Sequence, residues 1–430
     1  MAPLERRLYL LMTAIIGSTI LLGLFLEGPR ECADGLVRIL IGPARLVNDF
    51  TVTGGEGASL ANASLVALAG MLIVYFSKVR FSGPTVAAVL TMMGFGLFGK
   101  TPLNIAPVIL GVACAARLLR KSFKEYILIA LFGTALGPIS SAVAVEAGLT
   151  GAWAVAAGAG AGIAMGLLLP AAAISMLRLH QGFNLYNIGL TSGFLAIFAA
   201  SLLRAGGFDL ASRVVWNSNP SLALVLYPAV LSAALLAAGL LMGGRKAFKD
   251  LKRIQKLSGR LPSDFMDIVS PGGALLNMGL LGLASWGYVM AVRGDLSGPT
   301  MGGILTIIGF ASFGKNLRNT WPVALGVVAA TLLFGKGLAS PGPLLAFLFS
   351  TTLAPLAGQF GVTAGFLAGF VHLTMVERTG EWHGGINLYN NGFAGGLTAT
   401  LFVSIIEWFK ANRPGGEKVT DNAAHKEAGR

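Results

Sequence analysis

Charge is scarce in this chain. Only 12% of its 430 residues are Asp, Glu, Lys or Arg, against about 25% in soluble domains. With 54% hydrophobic residues and a mean hydropathy of +0.73, this excludes an ordinary soluble globule and implies a polytopic membrane protein. Cysteine is scarcer still: Cys32 and Cys114 are too few for a disulfide framework. No CxxC or paired-His spacing occurs, so no metal site is expected. Acidic residues are missing from the middle of the apolar runs, since Glu125, Glu146, Glu377, Glu381 and Glu407 all fall near run ends. A carboxylate proton relay or a carboxylate sodium site is therefore unsupported. HExxH, GxSxG and Walker A sequences are absent, and "GAGAG" at 158–162 follows no strand pattern. The expectation is a non-enzyme with no catalytic residue and no cofactor.

What is present is apolar sequence in span-sized pieces. The chain is long enough for about ten to fourteen membrane segments. Its net charge of +13 does not form a nucleic-acid patch, because the cations sit between the hydrophobic runs, where cytoplasmic loops carry them. The opening "MAPLERRLYLLMTAIIGSTILLGLFLEG" imitates a signal peptide. Its apolar run from Leu8 to Phe25 is long for one, and no A-x-A site follows, so it reads as a retained helix.

The chain repeats itself. "SGPT" at Ser82 to Thr85 returns at Ser297 to Thr300, an offset of 215. At that offset Phe98-Gly99-Lys100 meets Phe313-Gly314-Lys315, Asn104 meets Asn319, and Pro107-Val108 meets Pro322-Val323. Further on, "HQGFNLYNIG" at 180–189 meets "HGGINLYNNG" at 383–392, an offset of 203. Loop charge sets the relative orientation. Segment 28–58 holds three Lys/Arg and four Asp/Glu, whereas its counterpart 244–270 holds seven and three. Arg117, Arg120, Lys121 and Lys124 likewise face a counterpart loop with Lys336 alone. By the positive-inside rule equivalent loops lie on opposite sides, so the repeats are expected to be inverted.

Inversion within one chain demands an odd number of crossings per half. Spans are expected near 8–26, 59–77, 125–146, 151–176 and 184–203. The runs 85–98 and 103–116, at ~21 Å each, fall short of a ~30 Å hydrocarbon core. Read as a re-entrant hairpin they preserve parity; two short full spans would preserve it too. The expected fold is thus all-α, two inverted repeats of about five transmembrane helices plus one re-entrant hairpin each. Their bounds are 1–210 and 211–410, the second including the basic cytoplasmic loop 244–262, which reads as an amphipathic helix on anionic lipid. A polar tail, 411–430, is expected to be disordered. Both termini fall on the cytoplasmic side of a prokaryotic inner membrane.

The hairpin turn is where chemistry collects. Lys100 and Lys315 sit at the two turns, with Thr101 and Asn316 as N-caps of the returning helices and Asn104 and Asn319 one turn on. Helix N-termini attract anions, and Arg318 adds a cation in the second copy only. A lysine at the bilayer centre costs roughly 2.5–3.5 kcal/mol, which favours a binding site where the two turns meet near the midplane. Snorkelling lysines at an interface are the structural alternative. The motif H-x-G-[F/I]-N-L-Y-N-x-G offers His180, His383, Asn184 and Asn387 as vestibule groups, or else as plain helix-start polarity with tyrosine at the interface. Thr134 and Thr351, each four residues before a proline, mark paired helix breaks that expose carbonyls to a pathway. His372 has no partner in the first half and reads as an interhelical hydrogen bond.

"GFGLFGKTPLNIAPVILGV", "ALFGTALGP" and "GFNLYNIG" together resemble an uncharacterised prokaryotic integral-membrane family known only as a domain of unknown function, which assigns no residue roles. Five crossings plus one re-entrant segment per inverted half also resembles the urea transporters, trimeric channels for small polar solutes. That resemblance implies a solute pathway and allows a homo-oligomer, dimer or trimer. The expected function is a channel or facilitative transporter in the lipid bilayer for a small permeant, preferably a small anion. A urea-like neutral pore with structural lysines, and a non-transporting scaffold or embedded enzyme, are the alternatives.

Overall fold

A computed structural model describes residues 3–210 and 214–412; most of the tail expected to be disordered lies outside the described residues. The first half comprises α1 (Pro3–Glu27), α2 (Pro29–Ile41), α3 (Phe50–Thr53), α4 (Glu56–Phe76) and α5 (Gly83–Phe95). It continues with α6 (Pro102–Leu118), α7 (Ile127–Gly133), α8 (Gly137–Glu146), α9 (Gly151–His180) and α10 (Asn187–Ala205). The second half follows with α11 (Leu222–Gly243), α12 (Lys246–Ile254), α13 (Phe265–Ile268), α14 (Pro271–Ala291) and α15 (Gly298–Phe310). It ends with α16 (Leu317–Leu333), α17 (Pro341–Ser350), α18 (Ala354–Phe360), α19 (Val362–Trp382) and α20 (Asn390–Ala411). Each helix of the first half has its counterpart ten places later. No strand occurs among the described residues.

Membrane-spanning length follows from composition. Among the described residues, 9 helical units are long and apolar enough to cross a bilayer. They are α1, α4, α7 with α8, α9, α10, α11, α14, α17 with α18, and α20. α19 is as long at 21 residues but carries Glu377, Arg378 and Glu381 near its end. α5 and α15, at 13 residues each, reach only about 20 Å. The chain is a multi-pass membrane protein. α12 is different in kind: Ala247, Asp250 and Ile254 are buried while its lysines face out, the pattern of a helix lying along a surface.

Helix starts are written into the sequence. Ser297 accepts from the Thr300 N–H and Ser270 from the Gly273 N–H, each just before a Gly-Pro or Pro-Gly that cannot be helix interior. Thr101 and Asn316 cap α6 and α16 in full capping boxes with Asn104 and Asn319. The two spans α7–α8 and α17–α18 are broken by 3₁₀ turns at Thr134–Leu136 and Thr351–Leu353, as the threonine–proline spacing predicts.

α5 and α15 form the centre, buried almost throughout. A methyl on Gly94 would lie 2.8 Å from the Gly302 carbonyl oxygen, and one on Gly309 would lie 3.1 Å from Ala87 Cα. At their ends, Ser312 Oγ donates to the Gly83 carbonyl at 2.7 Å, and a methyl on Gly298 would lie 2.7 Å from the Leu97 carbonyl. Residues 83, 87, 94 and 97 thus meet 312, 309, 302 and 298, and the two equivalent helices pack antiparallel. Only glycine-sized faces permit this approach.

The halves cap each other. Buried Asp49 accepts from the Gly298 N–H at 3.1 Å, at the start of α15, and from Asn217 and Thr51 as well. Its counterpart Asp264 takes a hydrogen bond from Ser82 at the start of α5. Burial pushes both carboxyls above their usual range, against the pull of their donors.

Polar cross-links gather at two opposite ends of the bundle. One end joins Arg45 to Glu146, Arg204 to the Glu381 and Trp382 carbonyls, and Trp216 to Asp295. The other joins Arg80 to Asp267, Gln181 to Glu407, and Arg260 to the Gln181 carbonyl.

Candidate functional site

Each elbow between α5 and α6, or α15 and α16, ends on a lysine with no exposed surface. The elbow backbone is clamped from the neighbouring span. Asn62 Nδ2 donates to the Gly96 and Lys100 carbonyls at 2.6 and 2.8 Å. Asn277 does the same for Ala311 and Lys315 at 2.8 and 2.7 Å. This pair lies at the 215 offset and went unnoticed in the sequence, although the repeat alignment marks it.

Each lysine side chain then bridges a threonine of its own half and a tyrosine of the other. Lys100 Nζ donates to Thr134 Oγ1 at 2.7 Å and to Tyr389 OH at 2.6 Å. Lys315 Nζ donates to Thr351 Oγ1 at 2.7 Å and to Tyr186 OH. Each Nζ also lies 4.5 Å from the ring centroid of its tyrosine and 5.4 or 5.2 Å from that of Phe95 or Phe310. Neither lysine has a carboxylate partner among the described residues. The tyrosines were read from sequence as interface residues. Their place in a motif repeated alongside the lysines was the signal that could have linked them.

The turns do not converge on one point as the sequence suggested. Antiparallel packing puts each elbow beside the start of the other half's inner helix, so the two stand about 20 Å apart along the pair. The shared space is instead a cavity of ≈ 620 Å³. Much of its lining comes in equivalent pairs, among them Tyr186 and Tyr389, Phe95 and Phe310, Thr91 and Thr306, Phe132 and Phe349, Phe98 and Phe313, Leu46 and Leu261. It therefore straddles the two-fold relation between the halves. Only one end is widened further, by Glu125, Ile174, Leu177, Arg178 and Gln181. Of these, Glu125, Ile174, Leu177 and Arg178 are exposed.

The other sequence candidates divide clearly. Thr134 and Thr351 belong to the lysine clusters. Thr101, Asn316, Asn104 and Asn319 are consumed by the capping boxes; Asn104 Nδ2 also bonds the Gly99 carbonyl and Ser141, and Asn319 Nδ2 the Gly314 and Ser258 carbonyls. Arg318 is exposed on α16 and is not brought to the cavity. Asn184 and Asn387 accept from the Tyr186 and Tyr389 N–H groups at 3.2 and 3.0 Å; these Asx turns set the tyrosines.

His180 and His383 are buried and pair through Nε2 with Asn187 and Asn390 at 2.9 and 3.0 Å. Because those amides already donate to the Ala173 and Val376 carbonyls, each imidazole donates from Nε2. The histidines brace the start of α10 and α20, and neither lines the cavity.

Fold and site together define a polytopic helical membrane protein built from two equivalent halves around a central cavity. The chain belongs to the family described as Protein of unknown function (DUF1576), whose model matches residues 28–205 and 244–408. The two matched segments begin next to α2 and α12 and end in α10 and α20, which places them on equivalent parts of the halves. No curated protein matches the chain, and no solved structure matches it.

Proposed function

We propose that this protein is a facilitative transporter for a small anion, built as an inverted repeat with its pathway in the cavity between the halves. The observation that carries the reading is the pairwise lining of that cavity by equivalent residues. A site on a two-fold axis in the membrane plane is presented alike to both sides when the halves exchange conformations. Antiparallel packing of α5 on α15 supports the inversion. So does the basic loop 244–262 at one bundle end and segment 28–58, which has no basic excess, at the other; this makes the former end cytoplasmic in a prokaryotic inner membrane. α5–α6 and α15–α16 are then re-entrant hairpins. The widening toward Arg178 and Gln181 opens the cavity to the cytoplasmic end, while Leu46, Phe98 and Leu388 lie toward the other.

The anion preference rests on Lys100 and Lys315. Two buried amines held by hydroxyls, with no carboxylate beside them, leave a site short of negative charge. Each tyrosine oxygen accepts from a lysine; Tyr186 also pairs with Thr351, so the Tyr389 O–H is the one that remains to donate to a solute. One observation favours the urea-like neutral reading: the tyrosines, and not the lysines, line the cavity. Proteoliposome efflux separates the two. Lysine-dependent flux of acetate or benzoate with none of urea supports the anion. Urea flux that survives Lys100→Ala and Lys315→Ala overturns it, and no flux of any solute would point to a scaffold.

A further inference from the structure

The two halves differ at one place on the cavity wall. Ile188 and Asn391 occupy equivalent positions of α10 and α20, and both line the cavity. Behind Ile188 the first half has Leu169, buried against Gly133 in an apolar cluster. Behind Asn391 the second half has His372, also fully buried, whose Nε2 lies 3.0 Å from Asn391 Oδ1. An apolar pair in one copy is thus an imidazole–amide pair in the other. Burying such a pair where leucine and isoleucine pack well is unfavourable unless the polar groups meet something.

The rest of the wall points the same way. With Oδ1 turned to the imidazole, the Asn391 amide N–H groups are left to the cavity. Thr91, on the facing helix, is 2% exposed, and its hydroxyl has no hydrogen-bond partner. Its equivalent Thr306 is satisfied by the Gly302 carbonyl at 2.7 Å. Tyr186 and Tyr389 add two hydroxyls whose oxygens already accept from lysine. Asn391, Thr91, Tyr186 and Tyr389 thus share a cavity otherwise walled by Phe95, Phe132, Phe310 and Phe349. An inorganic ion would find mostly apolar wall, and a cavity of ≈ 620 Å³ is of the size that encloses small organic ligands.

Resting on the transport reading above, we infer that the solute is a small carboxylate with an apolar body. Asn391 donates to its carboxylate, Thr91 hydrogen-bonds the same end, and the phenyl rings take the body. His372 is a positioning residue: its Nε2–H fixes the amide so that the N–H groups, not the oxygen, face the solute.

The test uses purified full-length protein in detergent, with benzoate, benzamide and chloride as probes and melting shifts as the readout. The double variant His372→Leu/Asn391→Ile installs the first half's own residues, so its packing has a precedent in the same molecule. Benzoate should stabilise the wild type where benzamide and chloride do not. The double variant should bind benzoate about tenfold more weakly, the loss of one good hydrogen bond to a charged group. His372→Leu alone should weaken binding, and His372→Gln, which can still donate to Oδ1, should recover it.

Equal benzoate binding by wild type and double variant would remove Asn391 from the site. Equal response to benzoate, benzamide and chloride would overturn the carboxylate class. Either result, with lysine-dependent anion flux intact, would leave the transport reading standing; absence of all flux would remove that reading as well.

Discussion

Replacing Lys100 by methionine distinguishes a lysine kept for transport from one kept for stability. The side chain keeps its apolar stem, one heavy atom shorter, and loses its amine. Burying a charged Lys100 would cost at most roughly 2.5–3.5 kcal/mol, the figure for a lysine at the bilayer centre. Against this, two hydrogen bonds from a charged donor, to Thr134 and Tyr389, return about 1.5–3 kcal/mol each. The difference leaves a net stabilisation of roughly 0–3 kcal/mol, small for a chain with this much buried surface. Lys100→Met should therefore fold, with a melting midpoint within about 10 °C of the wild type. Anion efflux from proteoliposomes should fall by roughly tenfold or more, because the Tyr389 hydroxyl is no longer polarised by an amine. Lys315→Met should behave alike through Tyr186. A variant that melts far lower yet transports at the wild-type rate would show that the lysines hold the elbows together and do nothing else.

Four further outcomes follow from the same geometry. Tyr186→Phe and Tyr389→Phe should each cut efflux severalfold while shifting the melting midpoint little, since each lysine keeps its threonine partner and the aromatic face; a strong loss from only one would mean the pathway is not shared between the halves. Gly94→Leu should destabilise the folded chain by about 1–3 kcal/mol or prevent folding, because a first side-chain carbon already lies 2.8 Å from the Gly302 carbonyl; detergent melting reports it. In a background lacking Cys32 and Cys114, single cysteines at exposed Val37 and Phe248 should label from opposite sides of the membrane; labelling from one side would end the inverted reading. Arg318→Ala should leave flux unchanged within about twofold, its side chain being exposed on α16 and away from the cavity.

Much of the architecture was legible because membrane helices advertise themselves. The short runs at 85–98 and 103–116, the capping residues Thr101 and Asn316, and the threonine–proline breaks all appear where the sequence placed them. The repeat offset identified the lysines and their threonines as related sites, though not as contacts. What the sequence could not convey was three-dimensional pairing across the halves. Tyr389 lies 289 positions from Lys100, and no local pattern says that one half's motif meets the other half's elbow. Burial inverted several expectations. Asn104 and Asn319 looked like solute ligands because amides at a helix start can point outward; here they turn back to satisfy their own backbone. For His180 and His383 the sequence left a vestibule role and plain helix-start polarity open, and their bonds to Asn187 and Asn390 fit the second. His372, read as a simple interhelical bond, does make that bond, and its partner Asn391 faces the cavity.

The exchange of caps by Asp49 and Asp264 has a consequence for origins. A lone half would leave the Gly298 N–H at the start of α15 without Asp49 as its acceptor, and Ser82 at the start of α5 without Asp264. On the inverted reading proposed above, an ancestor half this length would have been complete only when a second copy, oriented the other way up, lay beside it. Such a gene product would have had to insert in both directions with similar ease; fusing two copies and loading one loop with lysine and arginine would then have frozen each into a single orientation.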